Sequence, residues 1–73
     1  MGMQTRMIQA WIARDEDGTL CHHSEKPYRS KDDMFSGQWE TADGTCGELP
    51  PKMFPEITWD DEPRKVEISI KLL

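Results

Sequence analysis

Four side chains carry the types used for metal ligation and nucleophilic attack: Cys21, His22, His23 and Cys46. Thiolate and imidazole are the usual zinc ligands, and a structural zinc takes four of them. On a strand, Cys21 and His23 face one side, about 7 Å apart by strand rise, and His22 points away. Cys46 sits between Gly44 and Gly47, in a loop flexible enough to approach them. Cys21, His23 and Cys46 are thus the candidate metal ligands. Their spacing matches no established ligand pair. The plainer reading is favoured: Cys21 is a small buried apolar residue, and the histidines lie at the surface or on an edge. No cofactor is expected.

A cysteine–histidine nucleophile needs more than the pair. It needs an orienting group, oxyanion donors and a pocket that excludes water. A chain of 73 residues has little interior left for a cleft of roughly 300 Å³ or more. The carboxylates form two groups, Asp15/Glu16/Asp17 and Asp60/Asp61/Glu62. Asp15-Glu16-Asp17-Gly18 is too short for a calcium loop. Acidic residues in turns are usually solvated. Gly37, Gly44 and Gly47 precede no helix with the Lys-Ser/Thr pair of a phosphate loop. The chain is therefore expected not to be an enzyme, with no catalytic residues.

The three tryptophans can serve as core or as contact surface. Trp11 is expected in the core, following the burial trend of such residues. Trp39 and Trp59 read equally well as core or as an exposed recognition surface, where Trp is favoured.

Formal charge is −5, from 14 acidic and 9 basic residues. Nucleic-acid binders need a basic face, so this balance argues against nucleic acid and against anionic lipid. No apolar run reaches the roughly 18 residues of a membrane span. No basic-then-apolar leader opens the sequence, so the expectation is a soluble cytoplasmic chain with two reduced thiols. One small domain spanning residues 1–73 is the only organisation the length permits. A domain this short buries only about 60% of its unfolded surface. Its stability is expected to be marginal, and a partner subunit would help it.

The elements that must position these residues are strands. From Arg6 to Arg14, Ile8, Ala10 and Ile12 face one way, and Met7, Trp11 and Ala13 the other. Two largely apolar faces predict a central strand. Asp17-Gly18 predicts a hairpin turn, and Thr19–Ser24 the return strand. Pro27 ends that strand or holds it to an edge. Met34–Thr41 reads as a short strand, weakened or bulged at Gly37. After Pro51 there is room for one helical turn, with Leu49 and Phe54 anchoring beneath the sheet. Ile57–Trp59 reads as extended, and Asp60–Pro63 as an acidic turn. Val66, Ile68, Ile70 and Leu72 alternate with Lys65, Glu67, Ser69 and Lys71. That period of two predicts a strand with one buried and one wet face. Residues 1–5 are expected to fray. The fold expected is mostly β: a small antiparallel meander or open barrel of four to five strands with one short helical turn. The first and last strands, the most hydrophobic, are expected to be neighbours.

Three stretches carry a resemblance. They are Trp11-Ile12-Ala13-Arg14-Asp15-Glu16-Asp17-Gly18, Lys26-Pro27 with Arg29, and Phe54-Pro55-Glu56-Ile57-Thr58-Trp59-Asp60-Asp61-Glu62-Pro63. Together they resemble a group of short proteins from gut anaerobic bacteria, known by sequence and without an assigned activity. The resemblance implies a folded unit and no particular chemistry. Cys21, His22, His23 and Cys46 are not part of that pattern.

Function follows from these limits. A small core and a strand edge free to pair point to a non-catalytic protein-interaction module that self-associates or joins a protein partner. A zinc-binding domain is the alternative.

Overall fold

The computed structural model describes residues 5–73, and its fold is mostly β. Strand β1 (Thr5–Arg14) pairs with β2 (Leu20–His23) through the expected hairpin. The Asp15 N–H donates to the Thr19 carbonyl at 2.8 Å, which leaves a loop of Glu16, Asp17 and Gly18. Gly18 holds a φ of +99°, a conformation that costs glycine no Cβ clash. The Asp17 carboxylate accepts from the Thr19 N–H at 2.9 Å and fixes the loop locally.

Two short strands follow, β3 (Tyr28–Arg29) and β4 (Trp39–Glu40), paired antiparallel as a second small sheet. Strand β5 (Gly47–Leu49) then pairs with β2, and β6 (Arg64–Lys71) pairs with β1. The main sheet has the antiparallel order β5-β2-β1-β6, so β1 is central and the first and last strands are neighbours. It does not close into a barrel. No helix is long and apolar enough to cross a membrane.

Three local expectations fail. Met34–Thr41 is not one strand: Asp33–Phe35 forms a 3₁₀ turn, and only Trp39–Glu40 is extended. The reason is Asp32, whose carboxylate accepts from the Met34 N–H at 2.9 Å and caps the turn. The helical turn expected after Pro51 is absent: that stretch is a run of separate tight turns, the first closed by the Met53 N–H donating to the Pro50 carbonyl at 3.0 Å. Ile57–Trp59 is not extended, because the Asp61 side chain accepts from the Thr58 N–H at 2.7 Å and starts a turn there. The expected fraying of residues 1–5 falls, up to residue 4, outside the described residues, and Thr5 opens β1.

Registers set the two faces of the sheet. Ile8 stands opposite Ile68, Ala10 opposite Val66, Ile12 opposite His22 and Leu20 opposite Leu49, all on one face. Ala13, Cys21 and His23 lie on the other face, against the segment Gln38–Cys46. The buried apolar set is small: Ala10, Ile12, Ala13, Leu20, Cys21, Trp39 and Ile57. Only Ile12 and Leu20 among its large side chains are sealed completely.

Candidate functional site

The most connected side chain is Arg14, the last residue of β1. Its Nε donates to the Ile57 carbonyl at 2.6 Å, and its Nη1 to Gly18 at 2.7 Å and Pro51 at 3.1 Å. Its Nη2 donates to Met53 at 2.9 Å and Phe54 at 3.2 Å. A guanidinium offers five N–H donors in a rigid fork, and five carbonyls meet it here. Pro50–Ile57 has no ladder of its own, so Arg14 supplies its order. Phe54 is left at a φ of +50°, among the described residues the one positive value outside glycine. Its position before Pro55 restricts the backbone further. Such a conformation persists where the surroundings over-determine it, and the Arg14 bonds on Met53 and Phe54 do so.

The pinned loop makes one wall of an open apolar groove of about 430 Å³. Met53 and Phe54 form that wall, and Ile8, Val66, Ile68 and Ile70 form the floor. Ile8 is 47% exposed and Ile70 50%. The alternation in β6 is as expected, but its apolar face is only partly covered: Val66 and Ile68 are half-buried and Ile70 is exposed. The loop reaches one end of the face, and among the described residues no other segment lines the groove. Of the two expected anchors, Phe54 stands at the groove rim over the sheet, whereas Leu49 is a residue of β5 and belongs to the sheet itself. At the β5 end, a Cβ on Gly47 would collide with the His22 ring, so glycine is what lets β5 approach.

The opposite face carries an aromatic clamp. The Arg29 guanidinium carbon lies 4.7 Å from the Trp39 ring centre and 4.3 Å from that of Trp59. The two indoles meet edge to face, 5.5 Å apart. Trp39 is buried, and its Nε1 donates to the Arg14 carbonyl at 2.9 Å. Trp59 is half-buried. Of the proposed recognition pair, Trp39 thus serves the core, and Trp59 shows part of its ring beneath Arg29. Trp11 is only half-buried, under the ammonium groups of Lys26 at 5.6 Å and Lys65 at 5.9 Å. It is not the core residue expected, because the lysine stems and not a second layer cover it.

The candidate metal ligands come partly together. Cys46 lies close enough to Cys21 to perturb its thiol, and His23 lines the same cavity as Cys46 and Asp15, about 340 Å³ in volume. His23 was expected at the surface, yet it is buried, since it points inward beneath Thr45. Its Nδ1–H donates to the Thr45 carbonyl at 2.9 Å, and its Nε2 is buried without a partner. Among the described residues, no group of three His, Cys, Asp or Glu side chains is placed to hold a metal ion.

Electrostatics around the cavity are defensive. Burial pushes the Cys21 thiol up to about 12, helped by Cys46, Asp15 and Glu48. In the metal-free chain the thiol therefore keeps its proton at neutral pH, which disfavours it as a nucleophile. Burial also raises Asp15, against the Trp39 N–H that donates to it at 3.1 Å. Asp43 is held well below the usual carboxylate range by the Thr45 N–H and the Ser24 and Thr45 hydroxyls. These contacts organise the loop rather than activate a group for transfer.

Sequence reasoning missed Arg14, Arg29 and the groove. The signal for the arginines was their place beside the hairpin turn and two residues after Pro27. The signal for the groove was a shortage: the apolar strands outnumber the segments able to cover them. No family model matches the chain, and no curated protein or solved structure matches it either.

Proposed function

We propose that the chain is a small, non-catalytic protein-interaction module, and that its contact face is the apolar groove on β1 and β6. One observation carries this reading. Ile8, Ile70, Met53 and Phe54 are all at least 40% exposed around a single groove, while among the described residues the buried apolar set has only seven members. Soluble monomers seldom leave contiguous apolar surface open without a use for it. Self-association is the simplest contact such a face supports, and a protein partner in the cytoplasm is the wider one. The groups of the second cavity, a buried Cys21 and a buried His23 bonded to the Thr45 carbonyl, favour a structural role there.

A dye that fluoresces in apolar sites tests the face directly. Wild type is expected to bind 8-anilinonaphthalene-1-sulfonate, and Ile8→Lys to lose that binding while melting normally. Absence of dye binding by the wild type overturns the reading.

A further inference from the structure

Strand β6 is the outer strand of its sheet, and among the described residues its far edge has no partner. Natural edges are blunted by short length, proline, bulges, inward charges or exposed charges. Over its eight residues β6 has no proline, no glycine and a regular alternation, and its charges, Arg64, Lys65, Glu67 and Lys71, carry both signs, so that they can pair as well as repel. It is also poorly supported from behind. β2 pairs with β1 only over Trp11–Arg14, so Thr5–Gln9 and Glu67–Lys71 form a two-stranded ribbon. Such a ribbon is marginal alone, and a third strand stabilises it.

We propose that a second copy of this chain completes the ribbon, β6 against β6, antiparallel about a two-fold axis at Ser69. The proposal rests on reading the domain as an interaction module, and it names the partner and register.

Charge selects the register. Side chains directly opposite in an antiparallel pair share a face. With Ser69 opposite Ser69 of the second copy, Ile68 meets Ile70, Val66 meets Leu72, and Glu67 meets Lys71, each twice by symmetry. Within one copy, Glu67 faces Gln9 and Lys71 faces Thr5, neither charged. The pairing therefore gives both groups opposite charges that β1 does not. Centring on Ile68 sets Lys65 against Lys71, and centring on Glu67 sets two glutamates together. Like charges directly opposite are destabilising. Centring on Val66 also opposes Lys65 to Glu67, but Pro63, without an N–H, halts that ladder early. The Ser69 register joins the two apolar faces into one and draws in Leu72, otherwise 67% exposed.

The test is sedimentation equilibrium of the full chain with three variants. Wild type is expected to dimerise. Glu67→Lys and Lys71→Glu are each expected to weaken the dimer about tenfold, since two attractive pairs become two repulsive ones. The double variant Glu67→Lys/Lys71→Glu is expected to restore it. In a Cys46→Ser background, Ser69→Cys is expected to form a covalent dimer under mild oxidation, because opposed strand residues match disulfide spacing. A wild type that stays monomeric overturns the proposal, and so does a dimer indifferent to the charge swaps and to Ser69→Cys. Either failure leaves dye binding at the groove unchanged, so it is distinguishable from failure of the interaction-module reading.

Discussion

Arg14 and Ile57, 43 residues apart in the chain, are joined by a hydrogen bond of 2.6 Å from the Arg14 Nε to the Ile57 carbonyl. That bond and four others from the same guanidinium turn an irregular stretch into one wall of the groove. Charge-assisted bonds of this kind are worth more than neutral ones.

Arg14→Ala is expected to destabilise the domain by roughly 3 kcal/mol, the scale of losing several charge-assisted bonds that are not additive. Arg14→Lys is expected to recover less than half, since an ammonium cannot fork to five carbonyls. Urea unfolding of the three proteins checks this. Stabilities equal within about 0.5 kcal/mol, the usual scatter of surface substitutions, would show the fork to be incidental.

Arg29→Ala is expected to cost about 1–2 kcal/mol, because the guanidinium sits against both Trp39 and Trp59. The same change should shift tryptophan emission, since Trp59 loses its cover. Arg29→Lys is expected to retain the charge but not the stacking, and to fall between the two. Thermal melts with fluorescence detection decide it. An unchanged emission spectrum in Arg29→Ala would contradict the clamp.

The cysteines should separate cleanly by reactivity. Cys46 is exposed and Cys21 buried. Iodoacetamide at pH 8 is expected to label Cys46 alone until the chain unfolds. The linkage has a definite sign. The folded Cys21 keeps its proton up to about 12, whereas the unfolded thiol gives it up near 9. Stability from this group is therefore intact below pH 9 and falls as pH rises from 9 to 12. Cys21→Ala is expected to flatten that part of the fall. Equal labelling of both thiols in the native protein would refute the burial argument.

What sequence alone determined is local. The alternation through Val66, Ile68 and Ile70 marks β6, because period two leaves only an extended backbone for an apolar face. Asp17-Gly18 marks the first hairpin, because turn chemistry acts within a few residues. The two apolar faces of β1 correctly place it at the sheet centre. Tertiary structure decided the rest, for a shared reason: the partners are distant in sequence and leave no periodic trace. His22 and His23 look alike in the chain, but register sends His22 to the groove and His23 beneath Thr45. Trp39 and Trp11 are the same residue type, yet only Trp39 finds a second layer above it. The apolar face of β6 reads as buried, because period two distinguishes two faces without saying whether anything covers either. Among the described residues only the Arg14-pinned loop reaches this face, and the open groove is the result.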